Sequence, residues 1–130
     1  MKLLLDSDFL FGLYITHDPS HDRAVKLLEE TWGKKPELYI TNLVMQELAT
    51  VVSYRVGQKE SITLLDKLEE HNLIKIHVNE ELEDAGWELF LKQTKKGTSF
   101  VDCANLAVID KYKFDGILSF ERFYGDKRIT

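Results

Sequence analysis

The sequence predicts an α/β fold: a three-layer sandwich with a central parallel sheet of four to five strands flanked by helices. Three observations predict it. Short apolar runs such as Leu3-Leu4-Leu5, Leu38-Tyr39-Ile40 and Ile117-Leu118 are too brief for helices and suit strands covered on both faces. Between them lie stretches whose apolar residues recur every three or four positions, the spacing of an amphipathic helix. Strand and helix alternate along the chain, and parallel neighbours need such crossovers.

The first strand is Lys2-Leu3-Leu4-Leu5, stopped abruptly by Asp6. Phe9, Leu10, Leu13, Tyr14 and Ile15 then define a short helix ending before His17-Asp18. A second helix starts at Pro19-Ser20 and buries Ala24, Val25, Leu27, Leu28 and Trp32, with Gly33 and Pro36 closing it. Leu38 to Thr41 is the second strand. Asn42 is a candidate cap for the next helix, in which Leu43, Val44, Glu47, Leu48, Val51, Val52 and Val56 repeat before Gly57. Ile62, Leu64, Leu65 and Leu68 mark a helix over 61–70, with Asn72 as its exit.

The run 73–78 alternates apolar and polar residues and reads as a strand nearer the sheet edge. Asn79 caps a helix carrying Leu82, Ala85, Leu89 and Phe90 through Gln93 and broken at Gly97. Thr98 or Ser99 caps another, filled by Val101, Ala104, Leu106, Ala107, Val108 and Ile109. Gly116 to Phe120 is a fourth strand, Glu121 to Gly125 a turn or short helix, and Arg128-Ile129 a small last strand. Right-handed crossovers are the default.

The chain of 130 residues is expected to form one domain, residues 1–130, with a core that needs no staples. The 44% hydrophobic content argues for a globular chain. The one cysteine, Cys103, forms no internal disulfide and is expected in the core. No apolar run has the roughly 18 residues of a membrane span. The opening residues, with Asp6, Asp8 and Asp18, do not resemble a signal peptide. A cytoplasmic location is expected. The net charge of −5 argues against avid nonspecific nucleic-acid binding, although distribution matters more than the total.

Four elements offer a carboxylate where this fold gathers ligands, outside the carboxyl ends of its strands. Asp6 ends the first strand, and Glu47 lies one to two turns into the helix after the second. Asp102 is in the first turn of the helix opened by Thr98-Ser99, and Glu121 follows the fourth strand. Read alone, Asp102 is equally a first-turn acid complementing a helix dipole. Glu47, among apolar neighbours, is harder to place without a partner. Clustered carboxylates raise one another's pKa unless a cation neutralises them. Oxygen ligands without a cysteine–histidine cluster favour Mg²⁺ or Mn²⁺ over structural zinc. One or two such ions suit phosphodiester hydrolysis.

In order, Leu5-Asp6-Ser7-Asp8, Asn42 through Glu47, Ser99-Phe100-Val101-Asp102-Cys103-Ala104 and Ile117-Leu118-Ser119-Phe120-Glu121 resemble the PIN-domain family, closest to its small VapC-type toxins. The likeness spans nearly the whole chain, and its most specific part is the Asp-x-Ala helix after Ser or Thr. It implies a metal-dependent endoribonuclease that leaves 5′-phosphate and 3′-hydroxyl ends, with a cognate antitoxin and a homodimeric assembly.

Carried over by position, Asp6, Glu47 and Asp102 are the main catalytic and metal-binding acids, with Glu47 a ligand or a base orienting water. Glu121 stands where aspartate is frequent, and Asp115 or Asp126 is an alternative fourth acid. Asp8 stands where asparagine is common and either adds charge to the site or caps the first helix. Ser119, Arg122 and Ser99 are candidate substrate contacts, with Lys95, Lys96, Thr98, Lys127 and Arg128 as further candidates for the RNA backbone.

Two rivals stand beside this reading. One is a PIN module that binds RNA or protein without cutting. The other follows from Asp6-Ser7-Asp8, which resembles the Asp-x-Asp of haloacid-dehalogenase phosphatases and would need Lys111 or Lys113. His17, His21, His71 and His77 lack metal-ligand spacing, and Trp32 and Trp87 are expected to pack helices.

Overall fold

A computed structural model describes residues 1–130. Five parallel strands form one sheet in the order β3-β2-β1-β4-β5: β1 Lys2–Leu5, β2 Glu37–Thr41, β3 Ile74–Ile76, β4 Gly116–Leu118 and β5 Arg128–Ile129. The helices are α1 Ser7–Tyr14, α2 His21–Trp32, α3 Asn42–Arg55, α4 Gln58–Glu69, α5 Glu80–Leu91 and α6 Phe100–Tyr112, followed by a 3₁₀ turn over Arg122–Lys127.

The period-two alternation of strands explains the layers. Leu3 and Leu5 of β1 pack in one core cluster with Phe9, Ala24, Val44 and Leu64 from α1 to α4. Leu4, between them, packs in the other with Leu82 of α5 and Val108 and Ile109 of α6. The sheet is therefore covered by α1–α4 on one face and α5–α6 on the other, as the apolar runs predict. At the α5–α6 contact, a Cβ on Gly86 would meet Phe100 Cζ at 3.2 Å and Ala104 Cα at 3.3 Å, so a larger residue would push α6 outward.

Strand order reverses at β1. The chain steps through β2 and β3 on one side, then returns to add β4 and β5 on the other. Leu5 pairs with Leu118 at the carboxyl end of this junction. Such reversals open a crevice at the carboxyl edge of a parallel sheet.

Several local expectations change. Thr41, rather than Asn42, caps α3 by accepting the Val44 N–H at 3.1 Å. Asn42 instead accepts the Val78 N–H at 2.7 Å, tying the start of α3 to the exit of β3. Between Thr98 and Ser99, Ser99 is the cap, accepting the Asp102 N–H at 3.0 Å. Trp32 does not pack inward: it is 62% exposed, because α2 turns Ala24, Leu27 and Thr31 to the core. Cys103 is buried, as expected. No helix is long and apolar enough to cross a membrane.

Candidate active site

Asp6 is the first residue beyond β1 and continues its pairing, its N–H donating to the Leu118 carbonyl at 3.1 Å. It then caps α1, with one carboxylate oxygen accepting the Ser7 N–H at 2.9 Å. The other accepts the Ser119 hydroxyl at 2.7 Å. Only 2% of Asp6 is exposed. Burial, then the charges of Asp8 and Asp102, push its carboxyl up to about 8, against the lowering effect of its hydrogen bonds.

Asp102, in the first turn of α6, is pushed up to about 6. Burial is the main cause, and Glu121, Glu47 and Asp8 add to it while the Tyr124 hydroxyl opposes it. Asp8 is raised by burial and by Glu121, with the Phe120 N–H opposing. Glu47, half-buried on α3, accepts the Ser7 hydroxyl. Glu121 is exposed at the entry to the 3₁₀ turn.

Asp6, Glu47, Asp102 and Glu121 therefore share one edge, and Asp8 joins them: Glu47 and Glu121 are near enough to raise Asp102, which with Asp8 raises Asp6. Asp8 does not cap α1. It reaches across to β4, accepting the Phe120 N–H at 3.1 Å and standing 3.4 Å from the Ser119 hydroxyl. Asp115 is at the opposite, amino edge, where it accepts the Lys2 N–H at 2.7 Å, so it is no substitute for Glu121. Asp126 is exposed within the 3₁₀ turn.

Two residues that the acid pattern did not reveal connect the set. Asn105, fully buried, stands one turn after Asp102. Its amide nitrogen donates to the Tyr124 hydroxyl at 3.0 Å and reaches Asp6 at 3.4 Å. The Tyr124 hydroxyl in turn donates to Asp102 at 3.0 Å. A polar residue three positions beyond Asp102, set between Cys103-Ala104 and Leu106-Ala107-Val108-Ile109, was the available signal for Asn105. Tyr124 gave none, because its role depends on how the 3₁₀ turn folds back over α6.

Ser119 was expected to contact substrate. It is fully buried, with its hydroxyl given to Asp6 and accepting the Glu121 N–H at 3.0 Å. It holds the acids and has no surface for a ligand. Ser99 keeps its capping role, and Arg122 is exposed beside Glu121. Lys111 pairs with Glu81 at 3.0 Å and sits nine residues from Asp102 on one helix, roughly 13 Å away. Lys113, the C-cap of the same helix, is farther still, so neither lysine is placed where the phosphatase reading requires one.

The donors are hard oxygens, the right chemistry for Mg²⁺ or Mn²⁺. The chain's two ion pairs, Lys75–Glu69 and Lys111–Glu81, leave all five acids without a cationic partner. The Asn105 amide oxygen is also buried with no donor. No three His, Cys, Asp or Glu side chains are gathered closely enough to hold an ion by themselves. The set fits only an ion that keeps several waters and takes one or two carboxylates together with substrate oxygens.

The model of the family described as PIN domain matches residues 3–124. A 23S rRNA-specific endonuclease, VapC20 of Mycobacterium tuberculosis, is 28% identical over 129 residues, covering 93% of this chain and 95% of its own. A VapC ribonuclease of Archaeoglobus fulgidus is 26% identical, covering 95% of this chain and 80% of its own. The crystal structure of that VapC20, described as a sarcin-ricin loop cleaving toxin, superposes with a TM-score of 0.82 at 24% identity, covering 94% of this chain and 92% of that one. VapBC2 of Rickettsia felis, bound to a DNA fragment from its promoter, superposes at 0.66 with 18% identity, covering 94% and 89%.

Proposed function

This chain belongs to the PIN-domain family, and on that premise we propose that it is a divalent-metal-dependent endoribonuclease, the toxin of a toxin–antitoxin pair. The observation that carries the proposal is Asp6. It is a buried carboxylate at the β1–β4 crevice, linked through Asn105 and Tyr124 to Asp102, with no positive group of the protein to balance it. The likeness to VapC ribonucleases supports the substrate class.

Asp6 and Asp102 would hold one or two Mg²⁺ or Mn²⁺ ions, with Glu47 and Glu121 reaching them directly or through water. When bound, such an ion supplies positive charge to the phosphodiester and makes a nearby water more acidic. The chain does the rest by positioning. Ser119 and the Ser7 N–H fix the two oxygens of Asp6. Tyr124 fixes one oxygen of Asp102 and leaves the other free. Ser7 donates to the Glu47 carboxylate, which would orient an attacking water or take its proton. Cleavage would leave 5′-phosphate and 3′-hydroxyl ends. A cognate antitoxin, a homodimer and a cytoplasmic location complete the proposal.

The test is incubation of the purified chain with unstructured RNA and Mn²⁺, with chelator and Asp6→Asn as controls. Loss of transition-state charge stabilisation worth several kcal/mol predicts a drop of about 10²–10⁴-fold for Asp6→Asn. Cleavage that persists in the variant would mark a contaminant. No cleavage with either metal would leave the non-cutting binding module.

A further inference from the structure

Arg23, Arg55 and Arg128 gather around Phe11 and Phe120 on the acid-lined side of the molecule. The Arg23 guanidinium lies over the Phe120 ring, 4.5 Å from its centroid. That of Arg55 lies over Phe11 at 5.4 Å. Arg128 donates to the Phe120 carbonyl oxygen at 3.3 Å, while Asp8 accepts the N–H of the same residue, so Phe120 is held at both ends. Phe11, Phe120 and Arg55 line one hollow of about 570 Å³ together with Asp8, Asp18 and Glu121.

Three carboxylates line this hollow, yet neither Arg23 nor Arg55 is in an ion pair. Arg55 is held instead by an aromatic face, and Arg23 by an aromatic face together with the Thr130 hydroxyl, which accepts from its Nη2 at 2.5 Å. A guanidinium lying on a ring loses mobility but keeps N–H groups at its edge for the two-pronged recognition of phosphate; on Arg23 a phosphate would displace the exposed Thr130 hydroxyl from Nη2. The need is plain: a chain of net charge −5 has no general attraction for a polyanion, so RNA must be gripped locally. The acid rim and its ion serve the phosphate being cut. The phosphates on either side need cations of the protein's own.

We propose that Arg55 and Arg23 clamp the phosphates flanking the cleaved bond of single-stranded RNA, with Phe11 and Phe120 presenting the guanidiniums. The clamp rests on the nuclease reading and assigns substrate contact to residues other than Ser119, Ser99 and Arg122. Arg55 also lies in the last turn of α3, where any cation complements the helix dipole. Lysine would preserve that effect but not a bidentate grip.

The test measures anisotropy of a labelled single-stranded RNA oligonucleotide binding to the full chain in chelator, across 50–200 mM salt as an experimental range in which phosphate contacts register. Arg55→Gln is expected to weaken binding roughly tenfold and to flatten the log–log salt slope by about 0.7. Arg55→Lys should recover the slope but not the affinity. Arg23→Gln should act in the same direction, and with Mn²⁺ both glutamine variants should raise KM while sparing kcat.

A double variant that keeps the parent's thermal midpoint, affinity and slope would overturn the clamp. So would a parent that binds no RNA. Unchanged binding, with cleavage that Asp6→Asn abolishes, removes the clamp and keeps the nuclease. Binding lost in the double variant of a parent that never cleaves keeps the clamp and removes the nuclease.

Discussion

The larger hollow on the molecule, about 890 Å³, is walled by apolar side chains such as Leu10, Leu13, Leu28, Trp32, Leu38 and Leu73. The smaller, about 570 Å³, carries Asp8, Asp18, Glu121 and Arg55. Judged by size and apolar lining, the first would be the default ligand site. It offers surface to cover, but little that can polarise a bond. The second borders the acids whose proton affinity burial and mutual repulsion have moved, and such displacement marks functional sites. The difference teaches that chemistry here is located by what the fold does to charge, and not by concavity.

Three measurements would break or sharpen this contrast. The largest effect is on stability against pH in chelator. Folded, Asp6 holds its proton up to about pH 8, against an ordinary value of 3.8. Between those limits the native state binds more protons than the unfolded one, so stability falls as pH rises. Asp102, pushed up to about 6, adds to the fall in the lower part of the window. We expect a loss of roughly 3–5 kcal/mol between pH 5 and 8 in urea melts. Asp6→Asn should flatten it, and Mn²⁺ should restore more stability at pH 8 than at pH 5. A flat profile for the parent would mean that the acid edge is not strained by charge.

A smaller effect is expected from Tyr124→Phe. It removes the hydroxyl joining Asn105 to Asp102 and leaves both without that partner, at a cost of about 1–2 kcal/mol in stability. Cleavage should fall by roughly tenfold, with a weaker apparent affinity for Mn²⁺ in titrations. If the rate and the metal dependence stay at the parent's level, Tyr124 is only a packing residue.

Smallest of all is Trp32→Ser, in the apolar hollow. An exposed side chain away from the acids should change stability by no more than about 0.5 kcal/mol and leave the cleavage rate unaltered. A slower enzyme would show that the two hollows are not independent.

Much of this was legible before folding. Every strand and helix was anticipated to within a few residues, because apolar period and turn residues are local signals. Asp6, Glu47, Asp102 and Glu121 were legible from their placement just beyond strands or within the helices that follow them. The misreadings share a cause. Asn42 has the chemistry of a cap, but Thr41 sits at the capping position and Asn42 finds Val78 instead. Trp32 fits the apolar period of α2, yet at the helix end nothing lies over it. Ser119 was a candidate substrate contact, but just beyond β4 it is buried and gives its hydroxyl to Asp6.

By itself, the sequence determined the order of elements, the parallel sheet and the acids available to one edge, since each depends on residues close together in the chain. Only the tertiary structure decided how those acids are held and charged. Asn105 meets Asp6 across 99 positions, and Ser119 meets it across 113. Such contacts, and the exclusion of water that gives Asp6 its proton affinity, exist only once the two cores close on the sheet.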